Sequence, residues 1–216
     1  TVSLTNGQHN WSVNCTDSNA FTGRSGVFNV TVQVATPLIV PDKPSYTLGE
    51  TVQLTGQNWN QSVEVTINYT LSNGTAITRV ATTTGTGTLT DAFSLSYGYP
   101  NGTYQVYAWQ TLTPSKNASN SFLVNLPATA ISASRSSYAQ GDEVRINGSG
   151  FSNLSTINIT IRYTNGSNES FTATSDASGA FTSRRNLSYL APLGLTNVSA
   201  VDLSYPRFNA TTNFTI

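Results

Sequence analysis

The sequence predicts an all-β protein in which two tandem sandwich modules follow an extended N-terminal strand segment. Three observations predict it. Apolar and polar residues alternate along many short runs, the period of a strand with one buried face. Two long stretches repeat each other at an offset of 92 residues, Tyr46 falling over Tyr138. No window of about 11 residues carries a helical period.

The elements follow in order. Residues 1–36 are too short for a sandwich, yet Val2 and Leu4, Trp11 and Val13, and Val30, Val32 and Val34 alternate with polar neighbours. At the repeat offset, Val30, Val32 and Val34 fall over Phe122, Val124 and Leu126, which close the first module. The segment therefore carries strand-forming residues without a sheet to join. A lone strand does not survive in water, because its backbone groups and apolar face lack partners. It either folds back on the first module or pairs with another molecule, and the seven residues named are the candidate donor-strand positions.

The first module spans 37–126. Val52 and Leu54 alternate with polar residues, as do Val63, Val65, Ile67 and Tyr69, then Tyr104, Val106 and Ala108. The second spans 127–216, with Val144 and Ile146, Ile157, Ile159 and Ile161, and later Val198 and Val201. The stretch from Lys43 to Gly56 lies over that from Arg135 to Gly148, so Tyr, Gly, an acid, Val and a second Gly recur in register. Trp59 matches Phe151 and Asn117-Ala118 matches Asn209-Ala210, while Thr66–Thr70 reads best over Thr160–Thr164. A module of about 90 residues has the size of an immunoglobulin-like sandwich. Asn73-Gly74, Asn101-Gly102 and Asn165-Gly166 supply the positive-φ residues of tight hairpins. Gly49 and Gly141, each three residues after a Tyr, are expected to hold positive-φ turns.

Composition narrows function. Charged residues are 9% of the chain and the net charge is +0, against about 25% charged in an ordinary soluble domain. With no run of like charge, nucleic acid is not expected as a partner, and no apolar stretch approaches the roughly 18 residues of a membrane span. Few carboxylates, no Met and one Cys suit a hot or acidic exterior, whereas five deamidation-prone Asn-Gly pairs weigh toward acid rather than neutral heat. Cys15 has no internal partner; it reads as a half-buried strand residue or as a thiol joining two chains. No signal peptide is visible, and a chain opening at Thr1 reads as a processed secreted product.

The strongest local signal is Asn-x-Ser/Thr, the acceptor triplet for N-linked sugar. It opens at 17 of 22 asparagines: Asn10, Asn14, Asn29, Asn60, Asn68, Asn73, Asn101, Asn117, Asn147, Asn153, Asn158, Asn165, Asn168, Asn186, Asn197, Asn209 and Asn213. With Ser and Thr at about 28% of the chain, chance supplies roughly six. The excess points to dense N-glycosylation, with sugar supplying the hydration that charge does not.

Catalytic chemistry is missing. His9 is the single histidine and lies in the N-terminal segment, so neither a Ser-His-Asp arrangement nor a His-based metal site has a rigid base. Asp142-Glu143 is the one acidic pair, at the start of a strand, and no phosphate loop, zinc spacing or calcium loop is present. No catalytic residue, metal or cofactor is expected. Trp59, Trp109, Tyr46 and Tyr138 are candidates for a sugar-binding platform, although their places beside strands favour packing. Lys43 and Lys116 are the only lysines available for an isopeptide crosslink.

A short alternating N-terminal tail, two Tyr-x-x-Gly-acid sandwich modules and dense sequons together resemble the secreted thread pilins of thermoacidophilic archaea. The resemblance covers the layout of the whole chain without a diagnostic motif. It implies a glycosylated extracellular cell-surface filament, without membrane insertion, in which identical subunits polymerise head to tail by donor-strand complementation. Val2, Leu4, Trp11 and Val13, or alternatively Val30, Val32 and Val34, would then be the inserted residues. Similar modules also occur in surface-layer proteins and adhesins, so a monomeric adhesin or carbohydrate-binding module is the alternative.

Overall fold

The computed structural model describes residues 7–33 and 35–216, and among these every regular element is a strand. Four strands come first: β1 (Gly7–Trp11), β2 (Asn14–Thr16), β3 (Thr22–Arg24) and β4 (Phe28–Val32). The first sandwich holds β5 (Leu38–Pro41), β6 (Ser45–Thr47), β7 (Thr51–Gln57), β8 (Glu64–Thr70), β9 (Ala76–Thr82), β10 (Leu89–Ser94), β11 (Gly102–Gln110) and β12 (Thr113–Asn125). The second holds β13 (Ala130–Ala133), β14 (Glu143–Ser149), β15 (Thr156–Arg162), β16 (Asn168–Thr174), β17 (Phe181–Asn186), β18 (Leu195–Asp202) and β19 (Asn209–Thr215).

In the first sandwich a sheet ordered β10-β7-β5 faces one ordered β6-β12-β11-β8-β9. Alternation along each strand puts Ile39, Val52, Leu54 and Phe93 from one sheet against Val65, Ile67, Tyr69, Tyr104, Val106 and Phe122 from the other, all buried. Removing each such side chain from water contributes about 1.5–3 kcal/mol. The second sandwich packs β13-β14-β17 on β16-β15-β18-β19 in the same way, with Val144, Ile146, Ile157, Ile159, Ile161, Val198 and Phe214 inside. The immunoglobulin-like reading of the sequence is the observed architecture.

The repeat motif has a local cause. The Tyr46 hydroxyl accepts the Lys43 N–H and donates to Asp42 Oδ1 at 2.6 Å, and the Tyr138 hydroxyl likewise accepts the Arg135 N–H. Glu50 accepts the Thr47 N–H at 2.6 Å and pairs with Lys43; Asp142 accepts the Ala139 N–H and pairs with Arg135. Between aromatic and acid, Gly49 (φ 95°) and Gly141 (φ 86°) turn the chain through the left-handed region.

Strand register keeps the offset at 92 throughout: Ala108 pairs Ile67 and Ala200 pairs Ile159. This corrects the match of Thr66–Thr70 to Thr160–Thr164, which slips by two residues. The slip has a physical origin. Tyr69 donates to Asp91, which also holds Arg79, while Tyr163 donates to Glu169, which holds Arg185. The same tyrosine-acid-arginine trio is rebuilt one step further along the sandwich, with acid and base exchanged between strands.

The N-terminal strands pair with each other. β1 pairs β4 with Trp11 opposite Phe28 and His9 opposite Val30, and β2 pairs β3, making one long interrupted hairpin. Its tip is closed by Asp17, whose carboxylate accepts the N–H groups of Asn19 and Phe21.

Candidate functional site

With no catalytic residue expected, the candidate sites are surfaces. Opposed residues of a hairpin share a face. One face of the β1–β4 ladder therefore carries Trp11, Phe28, His9, Val30 and Val32, with the Trp11 and Phe28 rings stacked at 4.8 Å. The other carries Gln8, Thr31 and two sequon asparagines, Asn10 opposite Asn29. Trp11, Val13, Phe28 and Val30 remain exposed and Val32 is half-buried. Of the donor-strand candidates, Val2, Leu4 and Val34 lie outside the described residues. Cys15 lies on β2 and is exposed, which corrects the half-buried expectation.

Both sandwiches already contain a final strand of their own. β12 lies between β6 and β11, and β19 pairs β18 while Thr215 bridges to Ser137. A strand donated by a neighbour would therefore add to an open sheet edge rather than replace one of these.

None of the 17 predicted acceptor asparagines is buried; Asn68, Asn147 and Asn158 are half-buried and the other fourteen exposed. A strand's period of two explains much of this, because Asn and the Ser or Thr two places on point to the same side. The outer face of the β16-β15-β18-β19 sheet gathers five of them: Asn168, Arg162, Asn197 and Asn213 form one cross-strand row, and Asn158, Val201 and Asn209 another. On the β14-β17 face Asn147 lies opposite Thr182, and Asn186 opposite Glu143. Asn60, Asn73, Asn101, Asn153 and Asn165 sit between strands, and Asn14 is on β2.

Local bonds distinguish these amides. Asn73 and Asn165 accept the N–H of residue i+2 at Oδ1, leaving Nδ2 outward. Asn117 and Asn209 each donate Nδ2 to carbonyls two and three residues back, at the beginning of the last strand of each sandwich. Asn60 donates to Gln110 and accepts from Lys116.

Of the four aromatic candidates for a sugar platform, Trp59, Tyr46 and Tyr138 are buried in the cores. Trp109 alone faces outward, on β11, stacked on Tyr107 at 5.4 Å. Tyr107 is 43% exposed, and the alternation along β11 puts it on the same outer side as Trp109. The pair lies between Asn68, opposite Tyr107, and Asn117, opposite Trp109.

The polar anchors are structural. Asp202, fully buried, accepts bonds from the Ser152 and Ser155 hydroxyls and from the N–H groups of Ser152, Ser204 and Tyr205. Burial works against its charge, yet these bonds hold the carboxyl below its ordinary range. At the repeat-matched place, Gln110 accepts from Asn60 in the position of Ser152. Burial, with the bond to Asp42, pushes the Tyr46 hydroxyl up to about 12. Among the described residues no group of three or more His, Cys, Asp or Glu is placed to hold a metal, and no helix is long and apolar enough to cross a membrane, which leaves β-barrel spans unaddressed.

No protein-family model matches the chain, and no curated protein matches it in sequence. Among solved structures, a tetra-tandem repeat from the extending region of a large adhesion protein aligns over 98% of this chain and 57% of its own, at 16% identity and TM-score 0.37. The adhesin InvE of Yersinia pseudotuberculosis aligns over 83% and 58%, at 14% identity and TM-score 0.36. Alpha-2-macroglobulin of E. coli aligns over 97% of this chain and 18% of its own, at 12% identity and TM-score 0.37. The chain thus spans under two thirds of each neighbour, and the fold described above rests on its own registers and cores.

Proposed function

We propose that this chain is a non-catalytic structural subunit of an extracellular, N-glycosylated cell-surface filament, joined head to tail to identical subunits by strand donation from its N-terminal segment. The observation that carries this reading is the amphipathic hairpin. A two-stranded hairpin is marginal in water unless its apolar face is covered, and Trp11, Phe28 and Val30 are left exposed while Asn10 and Asn29 point the opposite way. Sugar on one side and an apolar face left exposed among the described residues on the other would orient the segment toward a neighbour. Main-chain bonds along a sheet edge would then give affinity and the alternating side chains register. A donor and an acceptor on different parts of the surface make a contact that does not close on itself, and so a fibre. The layout resembles that of the thread pilins of thermoacidophilic archaea, and the 17 sequons are its proposed sugar sites.

A second reading, a monomeric adhesin, surface-layer or carbohydrate-binding module, is favoured by the outward Tyr107–Trp109 pair and by sandwiches that each hold their own last strand. Negative-stain microscopy separates the two. Full-length protein is expected as long fibres and a chain lacking residues 1–36 as monomers. Fibres of undiminished length and number from the truncated chain would defeat strand donation.

A further inference from the structure

We infer that sugar carried by Asn68 packs on the outward rings of Tyr107 and Trp109, which form a seat for the chain's own glycan. The inference rests on the N-glycosylated reading and deepens it by assigning one sugar to one protein surface. Strand register makes the meeting. Asn68 on β8 stands directly opposite Tyr107 on β11, and Trp109, two places further on, lies diagonal to it on the same face. Opposed residues hold their Cβ atoms about 4.5–5.5 Å apart, and diagonal neighbours at about 7–8 Å remain within reach of aromatic side chains. A sugar joined to the Asn68 amide therefore reaches both rings.

The two ends of the Asn68 amide are already sorted. Its Oδ1 is buried and without a hydrogen-bond partner, whereas Nδ2, the atom that takes sugar, is bonded by none of the described residues and stays accessible. Thr70, which supplies the hydroxyl of this sequon, shares the outer side of β8 with Asn68. Asn117 faces Trp109 from β12 and is the other sequon beside the rings, but its Nδ2 is committed to the carbonyls of Pro114 and Ser115. Of the two, Asn68 is the one free to carry the sugar.

The chemistry fits this occupant. A pyranose ring carries a face of C–H bonds, which packs on the electron-rich face of an aromatic ring. Tyr107 and Trp109 stack at 5.4 Å as an apolar pair among hydroxyl neighbours, Thr66, Thr78 and Ser119. The repeat adds an independent comparison. Ninety-two residues on, the places of Asn68, Tyr107 and Trp109 are taken by Thr160, Ser199 and Val201, so the second sandwich lacks this acceptor and both rings together. Thr160 and Ser199 still face each other there, and the nearest sequon, Asn158, faces Val201 instead. Backbone geometry is kept, and only the side chains that would hold and seat a sugar differ.

A thermodynamic cycle tests this. Thr70→Val removes the sequon hydroxyl while keeping the shape of the side chain, so it strips this sugar and leaves the others. In glycosylated full-length protein it is expected to lower the unfolding midpoint by about 2–4 °C. With Tyr107→Ser and Trp109→Ser already in place, the same change should lower it by less than about half as much. In protein made by a host without N-glycosylation, Thr70→Val should leave the midpoint unmoved. Equal losses with and without the rings, equal losses with and without sugar, or no loss at all would each overturn the contact. Glycopeptide mass spectrometry separates this failure from that of the wider reading. A bare Asn68 beside occupied Asn73 and Asn165 would overturn the seat alone, and a chain without sugar at any sequon would overturn both.

Discussion

At the scale of single residues, Asp202 and Gln110 show how one position solves the same problem twice. Each anchors a matching loop, β7–β8 in the first sandwich and β14–β15 in the second, one by a charge collecting donors from two loops, the other by a neutral amide bond to Asn60. The Asp202 carboxyl titrates lower when folded than its unfolded value near 3.9. Its contribution is therefore fully present above about pH 4 and is lost as pH falls through the folded value. Asp202→Asn is expected to destabilise the chain by about 2–4 kcal/mol at neutral pH, because its NH₂ group would face hydrogen-bond donors. Urea unfolding at pH 7 and pH 3 checks this: the loss should shrink at pH 3, whereas Gln110→Glu should show no matching gain. The sequons sort at the same scale. Asn60, Asn117 and Asn209 commit Nδ2 to protein acceptors, while Asn73 and Asn165 leave it outward. Glycopeptide mass spectrometry is expected to find lower occupancy at the first three than at the last two. Uniform occupancy would show that modification precedes these bonds.

At the scale of elements, the Tyr-x-x-Gly-acid motif is one turn with three constraints. Aromatic hydroxyl, acid and base hold the backbone, and the glycine both takes positive φ and yields space to a tyrosine ring 48 residues further on, Tyr97 for Gly49 and Tyr189 for Gly141. Gly166 has positive φ too, but nothing lies within 4 Å of where its Cβ would stand. Gly166→Ala is thus expected to cost about 1 kcal/mol from backbone strain alone. Gly49→Ala should cost more, roughly 2–3 kcal/mol, since Tyr97 is held by the junction and cannot swing aside. Equal shifts in unfolding midpoint would show that the ring yields freely.

At the scale of the whole molecule, the two sandwiches meet through a small aromatic contact clamped by one arginine. Arg207→Ala removes both bonds to the Tyr97 turn and leaves each core intact, so the midpoint should move little. Small-angle scattering is expected to show a broader distribution of lengths, as the default for small interfaces is relative motion. An unchanged profile would mean that the tyrosine and phenylalanine rings hold the junction alone.

What the sequence by itself determined was whatever rests on local period and repetition. Alternation at two residues placed Val52, Ile67, Val106, Val144 and Ile159 inside, and the 92-residue offset made two sandwiches of one design. Sequon spacing equals the strand period, which puts each Asn and its Ser or Thr on one side of a strand without saying which side; the structure shows that side to be the outer one. Only the tertiary structure decided how strands pair. The N-terminal residues bond to one another, the Thr66–Thr70 match gives way to register, and Trp109 rather than Trp59 or Tyr46 reaches solvent. Pairing and exposure depend on which surfaces meet across the fold, and a list of side chains in chain order does not contain that information.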